Sequence, residues 1–110
     1  MTKKNEQEHN QEPVVKYLKD VGPNGIFNQI FDAPQNCYFK MFDIKDDSAK
    51  FEFVGDVKKA IANKDAVFDN TCETSGTSRN AKNIKTEEAG ELKLQNGKWQ
   101  VTKKAKIKFE

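Results

Sequence analysis

Asn96-Gly97, flanked by alternating runs between Glu91 and Phe109, constrains this chain more than any other feature. An Asn-Gly pair supplies the left-handed backbone that a two-residue hairpin turn requires, and such a turn fixes the register of the strands it joins. Counting outward sets Gln95 opposite Lys98, Leu94 opposite Trp99, Lys93 opposite Gln100, Leu92 opposite Val101 and Glu91 opposite Thr102. Leu92, Leu94, Trp99 and Val101 then share one face, and Ala105, Ile107 and Phe109 keep its parity. Lys98, Gln100, Thr102, Lys104, Lys106 and Lys108 take the other face. A slip of one residue exposes the whole apolar set, so the alternation itself specifies the pairing. The same count brings Ile84 opposite Phe109 and predicts a long antiparallel pair. Lys103 falls on the apolar face opposite Gly90, which points to a bulge or to the rim of a pocket.

At 110 residues the chain is long enough for one core and too short for two. Apolar residues make up 35% and charged residues 33% of it, and the polarity is concentrated in residues 1–12, which contain almost no core-forming side chains. Those residues read as a flexible tail and residues 13–110 as one domain. The lone histidine, His9, falls in the tail, away from any cleft. A formal charge of +2 names no polyanionic partner. No run approaches the length of a membrane span, and the first residues carry no apolar signal-peptide core.

Taken in order, Pro13 opens a helical spacing through Val14, Tyr17, Leu18 and Val21 that Gly22-Pro23 ends. Ile26, Phe27, Ile30 and Phe31 suggest a second short helix capped by Asn24. Cys37–Ile44 and Ala49–Val54 form a phenylalanine-rich hairpin; a turn centred on Asp46-Asp47 sets Phe42 against Phe51 and Ile44 against Ala49. Apolar residues on both parities of the first run imply a strand covered on both faces, or one lining a cavity. Asp56 caps a short helix around Val57, Ala60 and Ile61. A strand around Val67 and Phe68 and a long polar loop from Cys72 to Lys82 follow. The fold class expected is α+β, with short N-terminal helices and antiparallel strands.

The two cysteines, Cys37 and Cys72, have no companion ligands at metal-binding spacing; they allow either a disulfide or two buried thiols. Asp43, Asp46 and Asp47 lack the glycine and distal glutamate of a calcium loop and read as a turn. Arg79, the only arginine, has the planar fork that holds carboxylate or phosphate. No nucleophile and base pair, phosphate loop or metal cluster is legible, and no cofactor is implied.

Glu12-Pro13-Val14-Val15-Lys16-Tyr17-Leu18-Lys19-Asp20-Val21, followed by Asn24-Gly25-Ile26-Phe27, resembles the opening of nuclear transport factor 2-like domains in small bacterial lipoproteins. Gly90 to Val101, with Asn96-Gly97-Lys98-Trp99 at its centre, is similar to their close, an ending shared with cystatin-like domains. Together these cover about a third of the chain. The resemblance implies that the short N-terminal helices pack on a curved antiparallel sheet, a cone often enclosing a pocket, and it implies a tail from Thr2 onward like the spacer after a lipidated cysteine. Family enzymes place aspartate and histidine inside the cone, and this chain has no histidine outside its tail.

These readings predict a non-catalytic domain of the cell envelope, lipid-anchored or periplasmic, with a cytoplasmic location as the alternative. It is expected to bind a small or peptidic ligand or a protein partner, as a monomer or homodimer. Tyr38, Phe42, Phe51, Arg79 and Lys103 are the candidate binding residues. A second class is binding of nucleic acid or another anionic polymer through Lys98, Lys104, Lys106 and Lys108; the same lysines also serve simply to protect a solvated sheet face, and no aromatic is interleaved for base stacking. A third is a pocket enzyme using Asp43, Asp56 or Asp69 with Tyr17 or Tyr38.

Overall fold

The computed structural model describes residues 14–110, and the expected tail lies outside the described residues. The elements are β1 (Lys16–Leu18), β2 (Ile26–Phe27), β3 (Phe39–Phe42), β4 (Ser48–Phe53), α1 (Val57–Ala62), α2 (Lys64–Phe68), β5 (Cys72–Gly76), β6 (Ile84–Glu88), β7 (Gly90–Gln95), β8 (Lys98–Lys103) and β9 (Ala105–Phe109).

The hairpin at Asn96-Gly97 forms with positive φ at both turn residues and the register expected from Gln95↔Lys98 to Leu92↔Val101. Beyond Leu92 the ladder shifts: Glu91 faces Lys103, and Thr102 is the extra residue of a bulge. A second shift on the opposite strand, with Glu87 as its extra residue, restores the count, so Ile84 does face Phe109. Two offsetting bulges thus lift Lys103 off the apolar face, where its ammonium bonds the carboxylate of Glu88.

Six strands form an antiparallel sheet in the order β1-β3-β4-β7-β8-β2. The sheet curls until its edges meet. Tyr17 and Phe31 exchange both backbone hydrogen bonds, at 2.8 and 2.9 Å, and Val21 bridges Phe27 on the same antiparallel register. Residues 17–21 and 27–31 therefore zip the sheet into a barrel and satisfy the backbone groups that two edge strands would leave open.

This overturns the expected α+β arrangement. Among the described residues, the helices read over 14–21 and from Asn24 to Phe31 are absent, and strands dominate, with two one- to two-turn helices. The physical reason lies in the backbone. Segments this short are marginal as helices, whereas as strands they find partners on both sides, Tyr17 lying between Lys40 and Phe31. The apolar spacing that suggested one buried face also dissolves: Phe27 is buried, but Ile30 and Phe31 are exposed.

Three further expectations are corrected. In the β3-β4 hairpin Phe51 faces Met41 and Phe42 faces Lys50, one residue from the expected register. Asp43 takes φ 50 and leaves the ladder before the Asp46-Asp47 turn begins. Val67 and Phe68 lie on helix α2 rather than a strand, with both side chains buried. Cys72–Gly76, read as the start of a loop, is β5; only Cys72 of its five residues faces the core, so no alternation betrays it.

A second sheet, in the order β5-β9-β6, continues the β7-β8 hairpin beyond its bulges. Phe39 joins the two sheets into one core, with its ring edge-on to Phe27, Phe51, Phe53 and Phe68 at centroid distances of 5.5–6.4 Å. Phe68 in turn meets Phe109 of the second sheet at 5.8 Å. The barrel interior is packed with rings.

Candidate functional site

The five residues singled out from sequence are not gathered into one place. Phe51 is wholly buried under Gly90. Phe42 is half-buried on the opposite face of the hairpin, with the Lys40 ammonium 6.0 Å from its ring centroid. Arg79 is exposed in the β5-β6 connection, and Lys103 is exposed beside Glu88. Tyr38 alone lines a sizeable cleft.

That cleft, of about 490 Å³, lies where the chain enters β3 and leaves β4. Its walls are Lys19, Pro34, Asn36, Cys37, Tyr38, Val54, Gly55, Asp56 and Lys59, and its size falls in the range of small-ligand sites. A turn with Asn36 at φ 62 and a 3.0 Å bond from the Cys37 N–H to the Pro34 carbonyl delivers Tyr38 to the floor. The Tyr38 carbonyl then accepts the N–H groups of Val54 and Gly55, at 2.9 and 3.2 Å. Gly55 is required by this crossing: a β-carbon there would lie 2.8 Å from Tyr38 Cα and 2.9 Å from the Cys37 carbonyl oxygen.

The chemistry of the walls is mixed. Tyr38, Pro34 and the 42% exposed Val54 offer apolar surface. Lys19 and Lys59 bring exposed ammonium groups, neither ion-paired to another described residue. Asp56 is committed in part to capping α1, where its carboxylate accepts the Lys59 N–H at 2.9 Å. The Cys37 thiol is buried, and burial pushes its pKa up despite the nearby Lys19, so it sits at the cleft as a neutral group. Cys37 and Cys72 are both free, so the disulfide alternative is not realised.

No family model, curated protein or solved structure matches this chain. The site therefore has to be weighed on its own geometry. Asp43, Asp56 and Asp69 line three separate clefts, and of the aspartate-tyrosine pairs considered for acid-base work only Asp56 and Tyr38 share one, with the Asp56 carboxylate engaged in part as the cap of α1. Among the described residues no group of three histidine, cysteine, aspartate or glutamate side chains is placed to hold a metal ion.

Two of the four lysines in the row Lys98, Lys104, Lys106 and Lys108 are engaged. Lys103 and Lys106 both contact Glu88, and Lys104 donates to the Asp69 carbonyl at 2.9 Å. Lys85 and Lys108 remain as a directly opposed pair of like charges on the outer face of the second sheet.

Sequence reasoning missed Lys19, Val54 and Lys59 because they come from three segments with no common spacing. Gly55-Asp56 was the one available signal. A glycine directly before a helix cap marks a close backbone crossing as readily as a turn.

Proposed function

We propose that this chain is a non-catalytic binding domain that takes a small or peptidic ligand with an apolar group and a carboxylate in the cleft over Tyr38. The observation that supports this is the pairing in one cleft of apolar surface from Tyr38, Val54 and Pro34 with the two ammonium groups of Lys19 and Lys59. An apolar body packed on the floor removes surface from water, while a carboxylate at the rim gains charge-assisted hydrogen bonds. The protonated Cys37 thiol and the cap role of Asp56 leave these walls suited to holding a ligand rather than to transforming it. Binding of an anionic polymer by the lysine strands is the weaker reading, because Glu88 already answers Lys103 and Lys106.

The test is a two-dimensional amide NMR titration with 3-phenylpropanoate, using its uncharged amide as control. The acid should move the Tyr38, Gly55 and Lys59 signals, and the double variant Lys19→Gln/Lys59→Gln should weaken its binding without altering that of the amide. Shifts confined to the second sheet, or none at saturating acid, would sink the reading.

A further inference from the structure

Among the described residues, closure of the barrel leaves the second sheet as the place where strand edges remain, and its two edges are treated differently. β6 carries a bulge and is capped by β4, whose Phe53 N–H donates to the Thr86 hydroxyl at 3.0 Å. β5 has no lysine, no proline and no bulge, and Glu73 to Gly76 are exposed. Its one charged side chain is Glu73, its last residue Gly76 takes φ 77, and Thr74 and Gly76 line a cleft with α2; an edge so lightly protected is a template for another strand.

The phase of its hydrogen bonds says which residues are open. The Ala105 N–H donates to the Thr71 carbonyl at 3.0 Å, so along this parallel ladder Thr71, Glu73 and Ser75 turn their backbone groups toward β9. Cys72, Thr74 and Gly76 turn theirs outward. Cys72 is buried, which makes Thr74, at the middle of the strand, the centre of the free edge.

The charges on the outer face select the same centre. Glu88, Lys106 and Glu73 form one transverse row, and Lys85, Lys108 and Ser75 form the next. The first carries an excess carboxylate, whereas the second carries two ammonium groups and no acid.

We propose that β5 is a self-association edge, on which two copies of this chain pair antiparallel about a two-fold axis through Thr74. Thr74 then exchanges both backbone hydrogen bonds with Thr74 of the second copy, and Glu73 falls opposite Ser75 of the second copy. The acid-rich row of each copy runs into the lysine row of the other, bringing Glu73 toward Lys108 and Lys85. A two-fold axis through Glu73 would instead oppose two carboxylates, and one through Ser75 would leave part of the strand unpaired.

Sedimentation velocity over a concentration series tests this, together with oxidative cross-linking. The wild-type chain should show a monomer-dimer equilibrium. Ser75→Glu, which puts like charges opposite each other twice, should raise the dimer dissociation constant about tenfold, and Glu73→Gln/Ser75→Glu should recover most of that loss. Thr74→Cys should form an intermolecular disulfide, since directly opposed residues have Cα atoms about 5.5 Å apart, within the reach of such a bond. Glu73→Cys should not cross-link at a comparable rate. A chain monomeric up to roughly 1 mM, or equal cross-linking of the two cysteine variants, overturns the proposal. So does a monomer whose Thr74 amide becomes exchange-protected only on adding an unrelated Thr-Val-Thr-Val peptide, which would make the edge a peptide site.

Discussion

Phe51 lies against Gly90, its partner across the β4-β7 ladder, so closely that a β-carbon at Gly90 would overlap the ring. The ring cannot retreat, because it is wholly buried and meets Phe39 edge-on at 5.5 Å. On the other side that β-carbon would lie 2.8 Å from the Ala105 backbone nitrogen. Gly90→Ala should therefore destabilise the fold by about 1–3 kcal/mol through overpacking alone. Urea unfolding checks this, and an unchanged midpoint would mean that the contact is not as tight as described.

Trp99 pairs with Leu94 on one side and with Phe27 on the other, and is only 8% exposed. Trp99→Ala should cost about 3–5 kcal/mol, a large share of the stability of a domain this size. In the folded wild type, iodide should quench its fluorescence weakly. Free access of iodide would contradict the β7-β8 register and the closure of the barrel through β2.

Where local chemistry dictates geometry, the chain was legible. Asn96-Gly97 placed the longest hairpin, and Asp56 marked the start of α1, because a turn and a cap each depend on a few adjacent residues. The N-terminal segments were misread for the opposite reason. Lys16–Leu18 and Ile26–Phe27 become strands only because a distant sheet curls far enough to meet them, and nothing in their own spacing reports that. The β3-β4 register failed by one residue, since the left-handed backbone of Asp43 removes it from the ladder and no local rule demands this of an aspartate. Tyr38 and Asp56 are the candidate residues recoverable for the cleft; their cationic partners are brought there by chain crossings that depend on Gly55.

Glu88 sits between two lysines at the paired bulges, and the hydrogen bond from Lys103, then the charges of Lys103 and Lys106, hold its carboxyl below the usual glutamate range. Its folded pKa is thus lower than its unfolded one. Whatever it contributes to stability is present above the unfolded value and is lost as pH falls through the folded value. A carbon-detected NMR titration should find Glu88 titrating below the usual glutamate range, and Lys103→Met should move it back up. If Glu88 titrates normally in the wild type, the ion pair is not held in solution.

Cys72 presents the opposite sign. Burial pushes its thiol up to about 11, against the lowering effects of the Thr71 hydroxyl and of Lys104, so the folded state keeps the proton more tightly than the unfolded chain at 9.0. The stabilisation is complete below the unfolded value and disappears as pH rises from about 9 toward 11, because only the unfolded chain releases the proton readily in that window. The native thiol should accordingly resist an aromatic disulfide reagent at pH 8 and react at once in denaturant. A scan of thermal midpoint against pH should fall between pH 9 and 11 for the wild type and fall less for Cys72→Ala, which has no proton to lose. Equal slopes for the two proteins would show that the alkaline instability arises elsewhere, with the lysines the remaining groups to test.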